Sequence, residues 1–219
     1  NGKAVMKRCP GVVIGIVVGH KDPRGEGRVQ IKFPTLPEIR EYPWAPLATP
    51  LAGKNRGMYF LPEKDDEVLV TFEQGDFDHP YIVGFLWNGV DRPPESDHKN
   101  RVILTPGGHT LRFEDTDGKK KVILKTDAGH EIVMDDTVPQ KITVKTKGGN
   151  KVEISDVPPG ISITAPVGQV MVQCLQASIT ATALLSVTAP VTQFSGVVMA
   201  PAIVSGAYNP LVPGKIFGL

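Results

Sequence analysis

Residues 108–115 read GHTLRFED, residues 129–136 read GHEIVMDD and residues 149–156 read GNKVEISD. The three segments align without gaps, and their leading glycines lie 21 and 20 residues apart. Apolar residues fall at matching places: Leu111, Ile132 and Val152, then Phe113, Met134 and Ile154. Each segment ends at an Asp, turns, and is followed by a second alternating run, with Val122 and Leu124, Ile142 and Val144, and Ile161 and Ile163. Alternation with period two puts these side chains on one face of each strand. A fixed period near 20 residues marks an array of like units.

Each unit offers two short strands with one apolar face and no helix to cover it. A single layer of such strands leaves that face in water, and its open edges invite pairing with other chains. The economical solution is an intertwined homo-oligomer, most simply a homotrimer, whose copies close into a β-prism. Its core is then formed by Leu111, Phe113, Val122, Leu124, Ile132, Met134, Ile142, Val144, Val152, Ile154, Ile161 and Ile163. A single-chain β-helix competes with this reading. Coils of that kind usually carry three strands, and two strands per 20 residues fit it less well.

Beyond Gly160 the alternation continues in weaker register, at Ile161-Ser-Ile-Thr164, Val170-Met-Val-Gln173 and Ser178-Ile-Thr180. The string Ile/Val-Thr-Ala recurs at Ile163, Ile179 and Val187, with Val198-Met-Ala as a variant, and predicts further short strands. From Val157 to Gly214 there is no Asp, Glu, Lys, Arg or His, although the chain holds 24 basic and 23 acidic residues. Thr, Ser, Gln, Gly and Pro interrupt the stretch too often for a transmembrane segment.

Before the repeats the pattern changes. Val12 to Val18 reads as a strand, Asp22 to Gly27 as a turn, and Arg28 to Phe33 as its hairpin partner. Val68–Phe72 and Tyr81–Leu86 form a second pair around Gly75-Asp-Phe-Asp-His-Pro80. Four to six strands in this span predict a small OB-type barrel. Residues 92–100, opened by Asp91, are a polar, Pro-rich linker. The predicted fold class is therefore all-β, an N-terminal OB-fold barrel followed by a β-prism needle. Its predicted parts are residues 1–91 as collar, 92–100 as linker, 101–201 as spike and 202–219 as tail.

A net charge of +1, with acids interleaved among the bases, gives no electrostatic footprint for nucleic acid. Cys9 and Cys174 match no metal-ligand spacing and read as unpaired thiols of a reducing compartment. Asp76, Asp78 and His79 read as a hydrogen-bonded turn rather than metal ligands. His109 and His130 share a repeat position with Asn150 and read as turn residues, as do Asp115, Asp136 and Asp156. Asp135 and Asp136 point to opposite faces of a strand, which suits no joint acid–base role. No serine elbow, phosphate loop or Cys/His cluster is present. Catalytic, cofactor-binding and metal residues are predicted to be absent, and the chain is read as no enzyme.

The stretches GIVVGHKDPRGEGRVQIKFP (15–34), WAPLATPLAGKNRGMYFLPEKDDEVLVTFEQGDFDHPYIVGFLWNG (44–89) and GHEIVMDD (129–136) resemble the spike proteins of contractile injection systems. These include phage baseplate assembly protein V, VgrG-type spikes and extracellular injection particles, and the likeness spans residues 12 to about 156. It implies a homotrimer with an OB collar and a triple-stranded β-helix needle. Such a spike assembles in the cytoplasm, sits on a hub protein among tube-tip proteins in the baseplate of a virion or injection particle, and pierces the target envelope on sheath contraction. The hub region that precedes the OB domain in VgrG-type chains is absent from this sequence, which begins at Asn1; a separate hub protein or a longer chain is expected to supply it. The His-x-His apex of some short phage spikes is also missing, the last histidine being His130. The family's alternative is a small PAAR-type cap, with Tyr208, Leu211, Ile216 and Phe217 as its candidate seat. An uncharged tip suits transient contact with the target membrane, because charge in hydrocarbon is costly; crowding of strands at a narrow tip is the competing explanation. A β-helical tail protein that binds or cleaves polysaccharide is the alternative function. It needs an acidic, aromatic groove, and the needle has few aromatics.

Overall fold

The computed structural model describes residues 8–35 and 42–201. Five strands build the barrel: β1 (Val12–Gly19), β2 (Val29–Lys32), β3 (Trp44–Ala45), then, after a small hairpin of β4 (Ala52–Gly53) and β5 (Arg56–Gly57), β6 (Glu67–Phe72) and β7 (Pro80–Leu86). Their order is β3-β2-β1-β6-β7, all antiparallel. The sheet then closes on itself. The Ile82 N–H donates to the Pro46 carbonyl at 3.0 Å, and the Ala48 N–H donates to the Ile82 carbonyl at 2.8 Å. That connectivity and closure are those of an OB-type barrel.

Alternation explains the core. Val29 and Ile31 of β2, and Val68, Val70 and Phe72 of β6, point inward with Val17, Ala45 and Ile82. Phe33, Phe72 and Phe77 close one end, with ring centroids 5.0 to 5.7 Å apart. Gly15 lies where β1 crosses the β6 side chains. A Cβ there would sit 3.1 Å from Val70 Cγ2 and 3.3 Å from Val68 Cγ2. The predicted turn after β1 is held by Asp22, whose carboxylate accepts the N–H groups of Arg24, Glu26 and Arg28 and pairs with the Arg28 guanidinium at 2.7 Å. Arg28, followed by these N–H groups, holds that carboxyl well below the usual range.

The repeats form a seven-stranded meander of β8 (Asn100–Leu104), β9 (Thr110–Glu114), β10 (Lys121–Lys125), β11 (Glu131–Asp135), β12 (Lys141–Lys145), β13 (Lys151–Asp156) and β14 (Pro159–Thr164). Every strand pairs only with its neighbours in sequence, antiparallel throughout. The single-chain β-helix is thereby ruled out for this segment, since its coils would stack parallel strands. The leading glycines of the repeat are turn residues: Gly108, Gly129 and Gly149 have φ of +80°, +91° and +89°. In each turn the glycine N–H donates to a threonine carbonyl, from Thr105, Thr126 and Thr146, at 2.9 to 3.0 Å. The Thr105 and Thr126 hydroxyls accept the N–H of His109 and His130 at 3.1 Å. These threonines recur at the repeat spacing and were part of the signal, though the sequence reading singled out only the glycines.

Strand β8 precedes the Gly108 unit and pairs with β9. One expectation needs correction. The short strands expected around Val170, Ser178, Val187 and Val198 do not form within the chain. One compact unit runs through Val170 and another begins at Met171, and residues 171–201 hold only bends and exposed, unpaired backbone. Alternation marks a segment suited to a ladder, but a strand needs a partner, and among the described residues no segment pairs with it there. The linker is anchored to the sheet, as described below. The tail 202–219, with Tyr208, Leu211, Ile216 and Phe217, lies outside the described residues.

Candidate functional site

The registers place all twelve repeat residues in two rows that cross the meander. One row runs Leu111, Leu124, Ile132, Val144, Val152, Ile163, each directly opposite the next. The other runs Phe113, Val122, Met134, Ile142, Ile154, Ile161. Ile103 of β8 heads the first row opposite Leu111, a member that sequence reasoning missed. Among the described residues of the compact unit that contains the sheet, none covers this face. Leu124 is 50% exposed and Ile161 72%. Contiguous apolar surface of this extent on one chain marks an interaction face. Near the barrel the first row runs into a groove of about 230 Å³ lined by Phe60, Leu61, Phe85, Ile103 and Leu104.

The opposite face is charged and internally satisfied. Lys121 pairs with Asp135 at 3.0 Å, Lys145 with Glu131 at 3.5 Å, and Lys141 with Glu153 at 3.6 Å. Thr137 and Lys121 hold the Asp135 carboxyl below its usual range, and Lys151 with Lys141 does the same for Glu153. Cross-strand pairs of opposite charge support a sheet face modestly. The charge is spent on pairing between strands, which leaves the other face as the one without partners.

The linker is anchored. Glu95 Oε1 accepts the N–H groups of Ser96 and Asp97 at 2.8 and 2.9 Å. Glu95 Oε2 accepts from Asn100 Nδ2 at 3.1 Å and meets Arg112 Nη1 of β9 at 2.6 Å. Arg112 Nε in turn donates to Glu114 at 2.9 Å. The backbone donors of Asp97 and Ser96 lead in lowering the Glu95 carboxyl, from 4.5 to about 2, with Asn100 and Arg112 adding to it. No spacing rule pointed to this junction, because it depends on a fold around an otherwise ordinary Glu.

The tempting chemistry resolves into turns. The Asp76 carboxylate accepts the N–H of Asp78 at 3.1 Å and lies 3.1 Å from His79 Nδ1. His109 Nδ1 accepts the Asp127 N–H at 3.3 Å, and His130 Nδ1 accepts the Lys147 N–H at 3.4 Å, so each histidine caps the next turn of its edge. Asp115 pairs with Arg101 at 2.9 Å. Among the described residues no three His, Cys, Asp or Glu side chains are arranged to hold a metal ion. Cys9 and Cys174 are free thiols.

The barrel and the sheet that follows it define a class. Residues 13–87 match the family of the type VI secretion system/phage-baseplate injector OB domain. The chain is also 31% identical over 133 residues to the type VI secretion system spike protein VgrG3 of Vibrio cholerae, covering 52% of this chain and 13% of that protein. It is 32% identical over 133 residues to the actin cross-linking toxin VgrG1 of Vibrio cholerae, covering 52% and 12%. To the spike protein VgrG2a of Pseudomonas aeruginosa it is 30% identical over 141 residues, covering 56% and 16%. The resemblance read from the sequence is borne out: over the matched residues the chain is similar to VgrG-type spikes and to the baseplate injector OB domain. It spans well under a fifth of the length of these relatives.

Proposed function

We propose that three copies of this chain close their apolar faces on a common axis and form the central spike of a contractile injection machine. The single observation that carries this reading is the uncovered pair of apolar rows, both continuous over the six strands β9 to β14 and one of them reaching β8. Each side chain is already about half shielded by its neighbours; burying the remainder contributes on the order of 1 kcal/mol apiece. Twelve such positions per chain supply a drive large enough to offset the ordering of the chains.

The remaining parts follow from this assembly. The barrel collar, residues 1–91, faces a hub protein and the tube-tip proteins. Residues 92–100 join it to the needle, and the needle runs on through the uncharged segment to residue 201. Residues 171–201 find their strand partners on the other two copies. The tail 202–219 closes the tip or seats a PAAR-type cap. The role is mechanical rather than enzymatic: the spike is assembled in the cytoplasm, carried in a virion or injection particle, and driven through the target envelope when the sheath contracts. The matches to injector and spike proteins support this reading, as does a tip segment without charge.

The test is the solution mass by light scattering, with and without SDS at room temperature. A mass near three times 23.6 kDa that resists SDS is the expected result. A monomer overturns it.

A further inference from the structure

We propose that the two edges of the sheet are unlike partners in that trimer: the His109, His130 and Asn150 edge of one copy docks on the Asp117, Asp136 and Asp156 edge of the next. The proposal rests on the trimeric reading above and adds to it which surfaces of the copies meet.

The meander sorts its turns. The turns at Thr105–His109, Thr126–His130 and Thr146–Asn150 all lie on one edge, because an even number of strands separates them. The turns that follow β9, β11 and β13, which carry Asp117, Asp136 and Asp156, all lie on the other. Three sheets that surround an axis by rotation, apolar faces inward, bring one edge of each copy to the opposite edge of its neighbour. That contact is heterologous and closes into a ring.

The chemistry of the edges is complementary. His109 and His130 accept a backbone N–H at Nδ1, from Asp127 and Lys147. A neutral ring that accepts at Nδ1 carries its proton on Nε2. Each histidine is thus an oriented Nε2–H donor on the far side of the ring, and both rings are exposed. The Asn150 side-chain amide is a donor at the third level. On the other edge, Asp136 and Asp156 use their backbone N–H groups within the chain, donating to the Lys120 and Gln140 carbonyls. Among the described residues the carboxylates of Asp117, Asp136 and Asp156 accept no hydrogen bond and enter no ion pair, unlike the neighbouring Asp135. Three donors therefore face three open acceptors. The turns on the two edges also recur with the same pitch, since each step crosses two strands, about 9.5 Å.

Cysteine cross-linking tests this. In a Cys9→Ala, Cys174→Ser background, His130→Cys is combined in turn with Asp117→Cys, Asp136→Cys and Asp156→Cys, and His109→Cys repeats the set one level along. Within one chain the two edges are separated by a strand of about 17 Å, too far for a disulfide. Light scattering first establishes that each variant is trimeric. The expected result is a covalent trimer on a non-reducing denaturing gel for at least one His/Asp pair, and none for any single variant. A trimer in which no pair closes, or in which single variants link to themselves, overturns the edge assignment while leaving the trimer intact. A monomeric mass overturns the trimer and the assignment with it.

Discussion

The Glu95 carboxylate lies 2.6 Å from the Arg112 guanidinium, so a residue of the segment between barrel and sheet is tied to the second strand of that sheet. Arg112 also holds Glu114, and Glu95 gathers two backbone N–H groups of its own turn. Charge-assisted hydrogen bonds of this kind are shorter and stronger than neutral ones. Glu95→Gln removes the charge and keeps the shape. Limited proteolysis should then cut faster within residues 91–100, while the barrel retains its own unfolding midpoint. Unchanged cutting would show that the junction is held by other contacts.

The same carboxylate predicts an acid dependence. Its value in the folded chain, about 2, lies below the ordinary 4.5. A group depressed on folding contributes stability that is complete above the ordinary value and is lost as pH falls through the folded one. Urea midpoints should therefore be level from neutral pH to about 5 and decline between about 4.5 and 2. In Glu95→Gln the share of that decline due to this group should be missing.

Ile82 both fills the barrel core and closes the ring of strands through its backbone. Ile82→Ala should cost about 2–5 kcal/mol, as a buried large-to-small change does. Gly15→Ala should cost about 1–3 kcal/mol by forcing Val68 and Val70 apart. Chemical denaturation followed by tryptophan fluorescence measures both.

Ile132 and Ile142 sit in different rows of the apolar face, 40% and 43% exposed in the single chain. Ile132→Asp and Ile142→Asp should thus leave the barrel's unfolding midpoint unaltered and abolish the proposed trimer, read as a fall in light-scattering mass. A trimer that survives both changes would show that the face is not what holds the copies together.

The uncharged segment has two explanations that a charge insertion separates. Thr180→Lys together with Thr188→Lys should leave the solution mass unchanged and reduce delivery by the assembled particle if the segment enters hydrocarbon, because each buried charge costs several kcal/mol. Equal delivery by the variant would leave crowding at the tip as the explanation.

Much of this was legible in sequence because the signals are local. Period-two alternation located β1, β2, β6 and β7, and the Gly-x-x-x repeat located β9 to β14 with the twelve residues that share the two apolar rows. The pairing of β3 with β2 and of residues 46–48 with β7 was not legible, since a two-residue strand carries no period. Nor was β8, which lacks the repeat's leading glycine. Glu95 and Arg112 escaped notice because ion pairs between distant positions leave no spacing signature. Around Val170 to Val198 the sequence indicates strand character but not whose strand will pair with it.

In the seven-stranded meander each strand touches only the strands next to it in sequence. Two consecutive strands return the chain to the same edge with the same face inward. Removing or duplicating one such unit, 20 or 21 residues, should therefore shorten or lengthen the sheet by about 9.5 Å without disturbing its ends. The length of the sheet is thus built in discrete steps, and a lineage can change it by copying or deleting a single hairpin.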